Sequence, residues 1–413
     1  MHIGLQAIGG SGWMGGANYI NNLVKALDFL PAEQRPMISL LLPNAGDVTP
    51  FQEITSKVKL LPCPFKASRH VLGCGESSLT KELGKRLLGR TRLWAALRRH
   101  LQLKSFAQLE PVLRRQQIEV VFPMLFSLGR RFGLPWIGWV PDLQYKYFPE
   151  LFGSALIRDI ERCNQALADE SPLLVVSSRN AAADMERSFP TCRPRLRVLS
   201  FTTVPPVEWF AGDPRRVADD FGLPADYLII PNQFMLHKNH ALAFKALRIL
   251  HDRGVRAHLA CTGKSTDTRS RTHFEQLRAL AKELRVADKI TFVGLIPRFQ
   301  QVQLLRAARA ILQPSLFEGW STVVEDARAL GKPLFLSDLA IHREQAPPLT
   351  TYFDPHNPEA LADQIQRRWD ELRAAPLSVG GLSTMQRAQI TEYALVFMRL
   401  CEEVCVRKSA AHD

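Results

Sequence analysis

Long apolar runs are missing from this 413-residue chain. Stretches such as LPWIGWVP around Trp136 and LLVV at Leu173 have the length of a strand, and a membrane-crossing helix needs roughly 20 apolar residues, so no such helix is expected. Cysteine is sparse: Cys63, Cys74, Cys163, Cys192, Cys261, Cys401 and Cys405 form no C-x-x-C pair and have no histidines at ligand spacing. That excludes a disulfide framework and a zinc site as organising features. Cys401 and Cys405, one helical turn apart, read as packing residues. Low-complexity tracts and short-period repeats are also absent. The first residues, MHIGLQAIGG, have neither a basic leader nor a cleavage pattern and read as a first strand, which makes a cytoplasmic location the expectation.

Charge is present in excess of one sign. The chain has 53 Lys plus Arg against 40 Asp plus Glu, a net charge of +13. Residues 1–205 hold 26 basic against 16 acidic side chains, a net of +10, and the remainder holds only +3. An anionic partner should therefore meet the first part of the chain. The excess is densest in KELGKRLLGRTRLWAALRRHLQLK, where Leu87, Trp94, Leu97 and Leu101 approximate one helical stripe. Two readings fit this basic 81–115 region: peripheral contact with an anionic membrane at its inner face, or a helix packed by its apolar side. Polynucleotide binding ranks below both, because no helix-turn-helix, zinc or RNP signature accompanies the charge.

Strand-like and helix-like segments alternate throughout, the pattern of parallel sheets with crossover helices. HIGLQAI, MISLLLP, IEVVFP, WIGWV, LLVVSS and LRVLS are the expected strands of a first lobe. A loop-forming segment, TTVPPVEWFAGDP, follows and is placed as the linker. DYLIIP, AHLACTG, KITFVG, AILQP, PLFLSD and TTYFDP are the strands expected of a second lobe, with helices over about 239–251, 271–284, 300–308 and the segment after Gly319. The last segment, 386–406, reads as a helix with Ile390, Tyr393, Ala394, Phe397, Leu400 and Val404 on one face. The expected fold is α/β, with two doubly wound Rossmann-like lobes facing a cleft. Residues 1–204, with 386–413 returning, would form the first lobe and 205–385 the second.

Three stretches could carry chemistry. GGSGWMGGANYINNL (9–23) opens a helix after the first strand and matches G-x-G-x-x-G at Gly10, Gly12 and Gly15. A dinucleotide site also wants an acid at the end of the second strand, and Pro43 and Asn44 stand there instead. What survives is a glycine loop, Gly15 and Gly16 included, that lets backbone approach a substrate. PNQFMLHKNHALAFKAL (231–247) places Lys238 just before a helix, where an ammonium can pair with a phosphate. PSLFEGWSTVVEDARALGKP (314–333) sets Glu318 and Glu325 seven residues apart around Gly319, Trp320, Ser321 and Thr322, between a strand and a helix amino end. Amide groups at such an end are unpartnered and partly positive. For Glu325 a capping box with Thr322 is the competing structural role, and for Glu318 it is a solvated surface carboxylate.

Taken in order, the GG loop, the K-N-H segment at 238–240, FVGLIP, PSLFEG with VVE, and LSDLAIHREQ resemble the nucleotide-sugar glycosyltransferases of the GT-B fold, in the large retaining group that includes family 4. The resemblance spans nearly the whole length. It implies that the second lobe binds a nucleotide diphosphate. Glu318 would contact the donor sugar, Glu325 the ribose hydroxyls, and N–H groups near Ser321 and Thr322 the phosphates. Lys238 would neutralise the leaving diphosphate, with His237 nearby. Three departures accompany it. The two glutamates are usually eight apart; Gln233 stands where an arginine is common; and VPDLQYKYFPELF has Pro141 before Asp142 where His-Asp is usual. Asp142 remains a candidate for orienting a hydroxyl.

The function implied is transfer of a sugar, with retention, to a glycan or lipid-linked acceptor in cell-surface polysaccharide or lipopolysaccharide synthesis. A nucleotide-sugar epimerase or a soluble-disaccharide synthase on the same fold is the alternative. Neither a metal nor a cofactor is expected beyond the nucleotide sugar as co-substrate, since no D-x-D sequence at a strand end suggests a cation clamp and a helix end with Lys238 can balance the phosphate charge.

Overall fold

The computed structural model describes residues 1–10, 13–43, 48–63, 108–266, 270, 272–374 and 381–410. Two compact units result: Met1–Thr202 with Arg387–Asp413, and Thr203–Gln386. Residues 81–107 of the basic segment and Gly12 lie outside the described residues. No described helix is long and apolar enough to cross a membrane.

The first unit is built on a seven-stranded parallel sheet: β1 His2–Gln6, β2 Met37–Pro43, β3 Lys59–Cys63, β4 Val120–Met124, β5 Trp136–Val140, β6 Leu173–Val176 and β7 Leu196–Val198, in the order β3-β2-β1-β4-β5-β6-β7. Strands such as LLVV and WIGWV are buried at every position, as a strand covered by helices on both faces must be. β3 was not among the expected strands. Its sequence KLLPC has exposed residues and Pro62, which is tolerated because β3 pairs on one side only. The helix Thr384–Ala410 buries Ile390, Tyr393, Ala394, Phe397, Leu400, Cys401 and Val404. Phe397 meets the Phe122 ring of β4 at 5.3 Å between centroids.

The second unit is a six-stranded parallel sheet: β8 Tyr227–Ile230, β9 His258–Thr262, β10 Ile290–Gly294, β11 Ala310–Gln313, β12 Leu334–Ser337 and β13 Thr350–Phe353, in the order β10-β9-β8-β11-β12-β13. The chain runs outward from β8 through β9 to β10, then returns to lay β11 on the other side of β8. Ligands of doubly wound sheets bind beyond the strand ends at such a reversal, which here means the loops after β8 and β11. A helix at Pro358–Ala374, also not among the expected elements, packs against His240–Asp252. Leu361, Ile365, Trp369 and Leu372 are its buried face, at a spacing the sequence displays.

One buried charge on this scaffold lies away from the strand ends. Lys332 follows the helix Thr322–Leu330 and donates to the Arg306 carbonyl at 3.1 Å. Burial, with the charges of Arg309 and Arg306, lowers its pKa from 10.5 to about 7. The unfolded chain therefore binds more protons than the folded one between those values, and stability rises with pH across that window. Below about 7 the full penalty of burying the ammonium is present. Thermal unfolding of wild type and Lys332→Met across the window should show this slope in wild type alone; parallel curves would refute the assignment.

Candidate functional site

The loops after β8 and β11 bring Lys238 and Glu318 together. Lys238 ends a short turn, Leu236–Lys238, and the next residue, Asn239, takes a left-handed conformation at φ 56°. The Asn239 amide donates to the carbonyls of Pro314 at 3.1 Å and Pro355 at 2.9 Å, tying the turn to the β11 loop. From this position the Lys238 ammonium pairs with Glu318 Oε1 at 2.6 Å, with side-chain exposures of 17% and 9%. Glu318 is thus no solvated surface carboxylate, as its sequence position also allowed. The same oxygen accepts from Gln313 Nε2 at 2.6 Å and from Ser315 Oγ at 2.7 Å. Burial pushes the Glu318 carboxyl up, but the charges of Lys238 and His342 and the bonds from Lys238 and Ser315 outweigh it and hold the pKa below its ordinary value. Glu318 is an anion.

Gln313 is the hub of this network. It ends β11 fully buried, accepts from Asn232 Nδ2 at 2.6 Å and stands 3.1 Å from Ser321 Oγ. Asn232 belongs to the β8 loop and Ser321 to the β11 loop, so one amide spans the chain reversal. His342 lies beneath: its Nδ1–H donates to the Ser337 carbonyl at 2.8 Å, and the ring is wholly buried. His240, of the K-N-H segment, stacks on Phe234 at 4.6 Å, and burial lowers its pKa to about 3, which keeps it neutral.

The helix Thr322–Leu330 begins after Ser321, whose hydroxyl makes no capping bond. The capping-box reading of Thr322 and Glu325 is therefore corrected: the residue at the cap is Ser321, and Glu325 is engaged by tertiary partners. Its Oε1 accepts from Gln345 Nε2 at 3.0 Å, and its Oε2 lies 3.4 Å from Arg328 Nε. Gln345 also holds the Ser321 backbone from both sides. Its Oε1 accepts from Ser321 N–H and its Nε2 donates to Ser321 C=O, each at 3.1 Å. The Ser321 amide is thereby occupied, whereas helix geometry leaves the N–H groups of Thr322 and Val323 with no intrahelical acceptor. Gly319 and Trp320, both half-buried, form the span between Glu318 and this helix end. Gln233 is half-buried on the β8 loop, and His237 is buried within it.

Gly15, Gly16 and Asp142 belong to the first unit and are described with it. Trp13 precedes the helix Met14–Leu27, and the loop before it is closed by Trp13 N–H donating to the Gly10 carbonyl at 3.0 Å and Gly10 N–H donating to the Trp13 carbonyl at 3.3 Å. The glycines have steric reasons of their own. A side-chain carbon on Gly9, at φ 91°, would stand 2.3 Å from Ala17 N, and one on Gly16 would meet the Trp13 ring at 2.9 Å. Gly15 is exposed. Trp13 stacks on Trp139 of β5 at 6.1 Å, and Asp142 follows on the loop after that strand. Asp142 Oδ1 accepts from Gln144 N–H at 2.9 Å, a local turn that fixes the carboxylate.

Sequence reasoning from strand-end position finds Lys238, Glu318 and Glu325, yet passes over Gln313, Asn232, Ser315, Gln345 and Arg328. Gln313 had a signal, being the one polar residue of AILQ. Gln345 had another, as the last residue of LSDLAIHREQ.

Residues 220–371, all in the second unit, match the sequence model of the family described as glycosyl transferases group 1. The protein EpsF of Bacillus subtilis (strain 168) is 30% identical over 119 residues, 28% of this chain and 29% of that one. The D-inositol 3-phosphate glycosyltransferase of Corynebacterium glutamicum (strain R) is 24% identical over 223 residues, 51% of each chain. The chain thus spans about half or less of these curated relatives. Among solved structures, sucrose-phosphate synthase from Thermosynechococcus elongatus superposes with a TM-score of 0.67 at 15% identity over all of both chains. HepE of Anabaena, solved in complex with UDP-glucose, gives 0.58 at 12% identity, covering 100% of this chain and 98% of that one. At such identities the likeness is one of fold.

Proposed function

We propose, from the match of residues 220–371 to the group 1 glycosyl transferases and the likeness in fold to sucrose-phosphate synthase, that the chain moves a sugar from a nucleotide-diphosphate donor to an acceptor hydroxyl, with retention. The observation that carries this reading is the joining of Lys238, Glu318 and the free end of the helix Thr322–Leu330 into one network at the chain reversal. In the proposed reaction the bond from the anomeric carbon to the diphosphate oxygen breaks, and its electrons leave on that oxygen. The acceptor oxygen bonds to the anomeric carbon from the same face, and its proton passes to the departing phosphate. Negative charge grows on the diphosphate as the bond stretches, and Lys238 with the Thr322 and Val323 amides is assigned to stabilise it. Glu318 is assigned to the donor sugar and Glu325 to the ribose hydroxyls. Asp142, with the glycine loop at Gly15 and Gly16, is assigned to the acceptor. No metal or cofactor enters this scheme.

For the acceptor we favour a glycan or lipid-linked glycan of cell-surface polysaccharide or lipopolysaccharide synthesis, made at the inner membrane face, in keeping with the net +10 of residues 1–205. Soluble phosphorylated acceptors form the second reading. It is favoured by the names of two similar proteins, a D-inositol 3-phosphate glycosyltransferase and a sucrose-phosphate synthase, and the same positive charge suits a phosphate.

The test is a binding screen of the purified chain against UDP, GDP, ADP and CMP and their sugars, followed by product analysis. One diphosphate should raise the melting temperature, and the rise should vanish in Lys238→Met and shrink in Glu325→Gln. Incubation of the matching sugar with lipid-linked glycan, with soluble sugar phosphate or with no acceptor then separates the two transfers from epimerisation. No response to any nucleotide would overturn the proposal.

A further inference from the structure

We propose that Lys264 supplies a second positive charge to the donor diphosphate, at a point on the β9 loop that lies against Gln233; this rests on the nucleotide-sugar reading given above. The paired ends of β8 and β9 set Ile230 beside Cys261, so the two loops leave the sheet edge together. They then run in backbone contact. Gly263 sits at φ 125°, and a side-chain carbon there would stand 2.4 Å from the Asn232 carbonyl oxygen and 2.9 Å from Gln233 Cα. One residue on, the Phe234 N–H donates to the Lys264 carbonyl at 3.2 Å. Lys264 is thereby held at the flank of the segment that carries Gln233 and, four residues after Phe234, Lys238.

Electrostatics gives the position its meaning. A nucleoside diphosphate is multiply charged, and the Lys238 ammonium is already matched by Glu318 at 2.6 Å. Gln233 can donate hydrogen bonds but adds no charge. Lys264 is exposed and forms no ion pair with the described residues, so none of these competes with a bound anion for its charge. A lysine suits this task as a point charge on a flexible stem, which can follow a phosphate as the leaving group departs.

Calorimetric titration of the purified protein with the nucleoside diphosphate selected by the screen, and with inorganic pyrophosphate, tests the idea. Lys264→Gln should weaken the nucleoside diphosphate by about tenfold or more, the scale of one hydrogen bond to a charged group, and flatten the dependence on salt. The nucleoside without phosphates should bind the variant and wild type alike. Adding Gln233→Arg to Lys264→Gln should restore much of the affinity, which a merely structural role for Lys264 would not produce. Equal weakening of pyrophosphate locates the contact on the phosphates; an effect on the nucleoside alone would overturn it. Unchanged diphosphate affinity in Lys264→Gln, or loss without rescue, overturns this inference and leaves the donor site standing. A wild-type protein that binds no nucleoside diphosphate would instead remove the functional reading beneath it.

Discussion

Lys238→Met should destabilise the protein by about 3–5 kcal/mol, the range for breaking one side of a buried ion pair, and should abolish donor turnover. Glu318 would be left as a carboxylate of 9% exposure with only Gln313 and Ser315 as donors. Its pKa would rise, since the nearest charge that opposes burial is gone. An acid whose folded pKa is raised loses its penalty as pH falls and the group protonates. The variant should therefore close part of its gap to wild type under mildly acidic conditions. Lys238→Met with Glu318→Met removes both desolvation penalties and should be far less destabilised than the sum of the single changes, while remaining inactive. Guanidinium unfolding of the four proteins gives the coupling energy. Additive effects would mean that the two side chains do not depend on one another.

Gly263→Ala should be as damaging, for a reason unrelated to charge. The methyl would stand 2.4 Å from a backbone oxygen at a φ of 125°. Backbone, unlike a side-chain tip, cannot rotate away, so strain of about 1–3 kcal/mol adds to a contact that must force the β8 and β9 loops apart. We expect a loss of more than about 3 kcal/mol in stability and of about a hundredfold in donor affinity or turnover, the scale for a displacement of about 1 Å at a site. Gly212→Ala is the control: it shares a positive φ of 81° but has nothing within 4 Å, and should cost about 1 kcal/mol. If both variants behave alike, the close approach of the loops is not what makes Gly263 necessary.

The strands of both sheets were legible because burial on two faces demands unbroken apolar runs, and turn residues bound each run. β3 escaped because an edge strand pairs on one side and admits Lys59, Leu60 exposed to solvent, and Pro62. At the site, position was readable and partnership was not. Lys238 and Glu318 stand out as charges after strand ends, yet their contact joins residues 80 apart in sequence, and no local period encodes it. Glu325 illustrates the converse. Its spacing from Thr322 fits a local cap, and a glutamine 20 residues further on takes the bond instead, together with the Ser321 amide that a cap would serve. Local propensity offers the option, and the packing of the helix Ala340–Gln345 decides it.

That glutamine has a consequence for how this region can change over evolutionary time. Ser321 is pinned at both backbone groups by one side chain, and Glu318 is pinned by three donors. Gly319 and Trp320 alone join the two anchors. A deletion or insertion at these positions can therefore be absorbed as a change in how the chain bulges, with the acid and the helix end left in register. The segment behaves as a bridge between fixed piers, where loop length can drift from one lineage to another while the network on either side stays as built.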